Sequence, residues 1–244
     1  MPPMRIDVRA DAAAVADGAA DVICDAVRAR PAARIGLPTG GTPILTYREL
    51  ARREACGEAD FAQAVVYAVD EFAGATRETP GTNQAFYREH LRVRLRALHC
   101  PDPATTDPEA HIRAFADAMR ADGGLDLCVL GIGVNGHIAF NEPGAAFDSR
   151  ARVVTLDEVS RQAHAGTFGS LDRVPARGMT LGVADLFEAR AVLVIAQGQH
   201  KAAIVRAAIE REQTAAVPAS WLQSHRDVTW LLDEAAAWDL KQRR

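Results

Sequence analysis

The sequence has no run of 18 apolar residues, so no stretch of it is long and apolar enough to cross a bilayer as a helix. Its N-terminal stretch, MPPMRIDVRADAAAVADGAAD, carries acidic residues early and lacks a long apolar core, which does not fit a secretory leader. No CxxC pair occurs. Cys24, Cys56, Cys100 and Cys128 stand far apart, which excludes a zinc ribbon or a thioredoxin-like redox motif and reads as reduced, mostly buried thiols. HExxH and paired HxH are also missing, so no metal is expected. The glycine turn at 38–43 is neither a Walker loop nor GxGxxG. There is no excess of positive charge: Lys and Arg number 28 against 32 Asp and Glu, a net charge of −4, which gives no electrostatic footprint for nucleic acid. Internal repeats and low-complexity linkers are absent. What remains is the expectation of a cytoplasmic protein that binds neither membrane nor nucleic acid and acts on a small molecule.

What is present is a chain of 244 residues with 48 % hydrophobic residues, enough for a sizeable core in a single domain spanning 1–244. Short apolar runs alternate with amphipathic stretches. Helical spacing predicts helices over 10–29, 42–55, 83–98, 110–120 and 201–210. Runs of apolar and β-branched residues predict strands over 34–37, 64–69 and 125–130, with further candidates at 152–156, 179–183, 191–196 and 228–232. Strands alternating with helices imply an α/β, three-layer Rossmann-like fold, with a mostly parallel central sheet flanked by helices. Ligands of such sheets bind beyond the carboxyl ends of the strands.

Four of those ends carry chemistry. After 34–37 comes Pro38-Thr39-Gly40-Gly41-Thr42-Pro43, where glycines and a helix start could cradle an anion; taken alone, the motif reads rather as an ordinary strand-to-helix turn with a Thr cap. After 64–69 comes Asp70-Glu71, two acids suited to proton transfer or, alternatively, to a turn cap and a solvated side chain. After 125–130 comes GIGVNGHIAFNEP, residues 131–143. It sets Asn135, His137 and Glu142 beyond a buried strand: a proton carrier, a carboxylate to orient it and an amide to hold a hydroxyl. After 191–196 comes Gln197-Gly198-Gln199-His200-Lys201, with Lys201 at a helix start, either solvated or facing an anion.

Together GLPTGGTP at 36–43, VDEF at 69–72, GIGVNGHIAFNEPG at 131–144, SRARVVTL at 149–156, VPARGMTLGV at 174–183 and QGQHKA at 197–202 resemble the glucosamine-6-phosphate deaminase (isomerase) family, in its order and over most of the chain. They resemble the related 6-phosphogluconolactonases more distantly, because those look like GHTASLFP where this chain has GHIAFNEP. The resemblance implies conversion of a hexosamine 6-phosphate and water to a ketohexose 6-phosphate and ammonia, with no metal or organic cofactor. It implies Asp70 as the base moving the C2 proton toward C1, His137 as the acid–base of ring opening, Glu142 as its orienting partner, and Asn135 as an aid to ring opening. Thr39, Gly40, Gly41, Thr42 and Lys201 would hold the phosphate. The alternatives are a lactonase-like hydrolase or a non-catalytic sugar-phosphate sensor.

Two departures stand out. Gly166 occupies the place of a family Arg that contacts the phosphate, leaving Arg161, about one turn away, or Lys201 alone to supply the charge. Val154 stands where allosteric members carry a Lys, and the C-terminal tail is short. A monomer or small homo-oligomer without that allosteric site is therefore expected, and an epimeric substrate such as galactosamine 6-phosphate stays open.

Overall fold

The computed structural model describes residues 4–241; the outermost residues of the expected 1–244 domain, including the first three of the N-terminal stretch, lie outside the described residues. In chain order the elements are β1 (Arg5–Arg9), α1 (Ala12–Ala29), β2 (Arg34–Leu37), α2 (Ile44–Ala55), β3 (Val65–Ala68), β4 (Asp70–Ala73), α3 (Asn83–His90) and β5 (Ala97–His99). They continue with α4 (Pro108–Ala121), β6 (Leu127–Gly131), β7 (Arg152–Thr155), α5 (Glu158–Phe168), β8 (Arg177–Thr180), α6 (Val183–Phe187), β9 (Ala191–Ala196), α7 (Ala202–Glu210) and β10 (Val228–Asp233).

Seven strands form one parallel sheet in the order β1-β10-β9-β6-β2-β3-β5. Alternate side chains of its strands feed two cores. From β6, Leu127 and Val129 join a cluster with Val15, Ala19 and Ile23 of α1 and Tyr47 and Leu50 of α2. Cys128 and Leu130 face the opposite cluster with Ile112, Ala116 and Met119 of α4 and Val205 and Ala208 of α7. Burial on both faces is why these strands read as continuous apolar runs. Helix starts follow their caps. Asp11 accepts from the Ala14 N–H at 2.8 Å, Thr82 from Ala85 and Asp107 from Ala110. No helix among the described residues is long and apolar enough to cross a membrane.

The order of strands reverses between β2 and β6: the chain builds outward through β3 and β5, then returns to lay β6 on the other side of β2. The loops leaving β2, β3 and β6 therefore converge at one crevice.

Several expectations need correction. The helix expected over 83–98 ends at His90, and residues 97–99 leave as an edge strand pairing with Val65–Tyr67. Leu91 and Leu95 still pack on the core, but from an irregular segment, which mimics helical spacing. Residues 152–155 and 177–180 lie outside the parallel sheet. With β4 they form a small antiparallel sheet, β4-β8-β7, in which Asp70 pairs with Thr180 and Arg152 with Thr180 from the other side. Beneath it Phe72 meets Phe140 and Phe168 at ring distances of 5.0 and 4.8 Å. Besides β5, two more strands, β1 and β4, were not expected. The thiols are not uniformly buried: Cys24 and Cys128 are, Cys100 is half-buried and Cys56 is exposed.

Candidate active site

The crevice holds a cavity of about 360 Å³. Residues 38–44 beyond β2, Asp70 beyond β3, residues 130–134 and His137 beyond β6, the inner face of α5 and Lys201 all line it. Thus the four strand ends singled out in the sequence meet around one space.

The 131–143 loop is folded tightly around His137. Gly133 N–H donates to the His137 carbonyl and Gly136 N–H to the Gly133 carbonyl, both at 3.0 Å. Gly136 has φ +88°, open to glycine at little cost. Gly133 is small for a different reason: a Cβ there would lie 2.4 Å from His137 Cε1. The imidazole packs directly on the Gly133 backbone.

His137 Nδ1 lies 3.3 Å from Glu142 Oε2 and 3.1 Å from Ser160 Oγ. Asn135 Nδ2 donates to the same Glu142 oxygen at 2.9 Å, and the Asp157 N–H donates to Glu142 Oε1 at 3.3 Å. Burial opposes the Glu142 charge, but the His137, Ser160 and Asn135 hydrogen bonds outweigh it and hold the carboxyl below the usual range. An ionised Glu142 only accepts. It therefore fixes the His137 proton on Nδ1 and leaves Nε2 as an acceptor. Ser160, 1 % exposed on α5, was not singled out in the sequence.

Asp70 and Glu71 are consecutive on β4, so their side chains point opposite ways. Asp70 faces the cavity. Glu71 turns to the N-terminus of α3, where it accepts the N–H groups of Phe72, Asn83 and Gln84 at 2.8–2.9 Å. Burial pushes Asp70 up to about 8, the Glu71 and Glu142 charges add to the rise, and the Asn83 amide opposes it. Burial pushes Glu71 up to about 7 against its three N–H donors. With those donors and a helix N-terminus, Glu71 is the better seat for the pair's negative charge. Asp70, raised by burial, is left as the carboxyl that faces the cavity.

At the opposite end of the cavity Gly40 has φ +98°, and a Cβ at Gly40 or Gly41 would meet nothing within 4 Å. The turn leaves space for an anion against its backbone, ahead of α2, which begins at Ile44 rather than at 42. Lys201 Nζ donates to the Ile132 carbonyl at 2.6 Å, and burial pushes its pKa down to about 8. Among the described residues no other Lys or Arg lines the cavity. Arg161 does not replace the missing family Arg: its guanidinium donates to the Leu171 and Val174 carbonyls instead. Gly166 is exposed on α5 with nothing within 4 Å of a Cβ built there. His164 also lines the cavity; burial pushes it down to about 4, so it is neutral. The Thr39 hydroxyl donates to Asn83 Oδ1 at 2.8 Å, and Asn83 Nδ2 donates to Asp70 Oδ1 at 2.5 Å. Nothing in the sequence marks Asn83 beyond its place in the first turn of a helix.

Known proteins match this chain along its length. Residues 7–230 match the family described as glucosamine-6-phosphate isomerases/6-phosphogluconolactonase. The chain is similar to a glucosamine-6-phosphate deaminase of Pseudarthrobacter chlorophenolicus, with 42 % identity over 91 % of this chain and 87 % of that one. It is similar in structure to a monomeric glucosamine-6-phosphate deaminase, at TM-score 0.93 and 34 % identity, over 97 % of this chain and 100 % of the other. It also shares its fold with a 6-phosphogluconolactonase of Shewanella baltica, at TM-score 0.75 and 18 % identity, over 95 % of this chain and 97 % of that one.

Proposed function

The chain belongs to the glucosamine-6-phosphate isomerase/6-phosphogluconolactonase family, and from that premise we infer that it is a glucosamine-6-phosphate deaminase, releasing ammonia and a ketohexose 6-phosphate. The observation that carries this reading is that a buried carboxyl, Asp70, and an imidazole braced by a carboxylate, His137 with Glu142, face one cavity. Those are the two proton carriers an aldose–ketose conversion needs.

The phosphate sits against the backbone of residues 39–42, with Thr42 and Lys201 beside it. This anchors C1 and C2 at the far end of the cavity, and positioning of this kind contributes several kcal/mol to the rate. His137, through Nε2, takes the proton of the anomeric hydroxyl and returns it to the ring oxygen, opening the pyranose. Glu142 and Asn135 hold the imidazole and its charge while this happens. Asp70 then removes the C2 proton while the C1 carbonyl oxygen gains one, giving an enolamine. The same carboxyl delivers that proton to C1 and leaves an iminium at C2. Water adds to that carbon and ammonia departs. Acid–base groups of this type each contribute on the order of 10²–10⁴ in rate. The chemistry draws on these side chains and water, and no cofactor enters it.

A phosphorylated sugar does not cross a bilayer unaided, which supports action in the cytoplasm, and the monomeric relative supports a monomer or small homo-oligomer. The test is ammonia release from glucosamine and galactosamine 6-phosphates side by side, with 6-phosphogluconolactone as the third substrate. Stoichiometric ammonia and fructose 6-phosphate from glucosamine 6-phosphate is the expected result. Preference for the galactosamine epimer revises the substrate, and lactone hydrolysis without ammonia release overturns the reading.

A further inference from the structure

Asn83 is 2 % exposed, and its amide is engaged at both ends. One end lies 2.9 Å from the Asp70 backbone carbonyl and 2.5 Å from Asp70 Oδ1. The other lies 2.8 Å from Thr39 Oγ1. A backbone carbonyl only accepts, so the end facing it is the NH₂ group. The far end is then the amide oxygen, and the Thr39 hydroxyl has to donate to it. Turned the other way, the amide would set oxygen against oxygen in a buried site. The chain of hydrogen bonds therefore runs in one direction, from Thr39 through Asn83 to Asp70.

We propose that Asn83 is a positioning residue for Asp70, and that the Thr39 hydroxyl orients Asn83 rather than donating to the substrate's phosphate. The role of Asp70 here rests on the deaminase reading. The Thr39 hydroxyl has one proton, and a proton given to Asn83 cannot also be given to an anion. What the phosphate meets at residue 39 is backbone. At the other end, the two N–H groups of Asn83 grip the Asp70 carbonyl and one carboxylate oxygen, leaving Oδ2 to reach the C2 proton. The backbone N–H of Asn83 is itself held by Glu71 Oε1 at 2.9 Å. One residue thus ties down both carboxyls and stands between the phosphate turn and the base.

The test separates orientation of the base from phosphate binding. Thr39→Val, Thr39→Ser and Asn83→Ala are assayed for kcat and KM with glucosamine 6-phosphate, and for inhibition by inorganic phosphate. Losing a hydrogen bond that serves a charged group lowers rate about ten- to hundredfold. Thr39→Val is expected to lose that much in kcat while KM and phosphate inhibition stay within about twofold, and Thr39→Ser to recover it. Asn83→Ala is expected to lose at least as much kcat, again with phosphate inhibition unchanged. If Thr39→Val instead weakens KM and phosphate inhibition together with kcat intact, the hydroxyl is a phosphate donor and the proposal is overturned. A Thr39→Val enzyme unchanged in both also overturns it. The deaminase reading fails in the wild type, whereas this proposal fails only in the variants.

Discussion

Replacing Gly133 by Ala perturbs the site without removing a reacting group. The added Cβ would lie 2.4 Å from His137 Cε1, 2.5 Å from Nδ1 and 2.6 Å from Nε2, so it meets the ring face-on. Ordinary contact needs about 3.5 Å, so the imidazole has to retreat by about 1 Å. Gly133 does not use a left-handed conformation, so the backbone itself accepts Ala. The ring borders the cavity and has room to move, which keeps the stability loss toward the low end of about 1–3 kcal/mol for overpacking. The cost falls on geometry: a 1 Å shift draws Nδ1 away from Glu142 and Ser160, now at 3.3 and 3.1 Å, and misaims Nε2. A misplacement of that size costs about 10²-fold in rate. The assay is steady-state ammonia release, with thermal unfolding as the control for folding. The expected outcome is kcat reduced about 100-fold, KM within a few-fold, and a cooperative unfolding transition. A Gly133→Ala enzyme with wild-type kcat would show that the His137–Glu142 geometry is not what ring opening depends on.

Other perturbations act at the two ends of the cavity. As the base, Asp70 has to be ionised, so kcat/KM rises as pH climbs through its value of about 8; as the phosphate's cation, Lys201 has to be protonated, so kcat/KM falls as pH climbs through about 8. A narrow bell centred near pH 8 is expected, and Lys201→Arg, whose charge does not titrate, should lose most of the alkaline limb; a flat profile between pH 7 and 9 would contradict both assignments. Gly166→Arg fills open space on α5 with the charge that the family resemblance places there. It should lower KM about tenfold with kcat within about twofold, and an unchanged KM would mean that the turn and Lys201 already suffice.

Much of the architecture was readable because it depends on local patterns. LCVL at 127–130 is apolar throughout because both its faces are covered, and the polar residues after it sit where a parallel sheet binds ligands. What stayed hidden depends on partners distant in sequence. DEFA looks like a polar turn and becomes a buried strand only because β8, more than a hundred residues later, pairs with it. Leu91 and Leu95 satisfy helical spacing, yet the chain leaves the helix at His90 to place residues 97–99 beside β3. Ser160 reaches His137 across 23 residues and Asn83 reaches Asp70 across 13, so neither pairing leaves a mark on local spacing. Arg161 was one possible replacement for the missing family Arg on sequence distance alone; carbonyls of the following turn claim its guanidinium.

The central claim is that Asp70 carries the proton between C2 and C1, and Asp70→Asn tests it most directly. Asn keeps the shape of the side chain and the Asn83 contact to the Asp70 backbone carbonyl, but it cannot take up the proton. In the deaminase account the variant stays folded, still binds glucosamine 6-phosphate, and releases ammonia at least 10²-fold more slowly than the wild type. Near-native ammonia release from the folded variant would contradict the account.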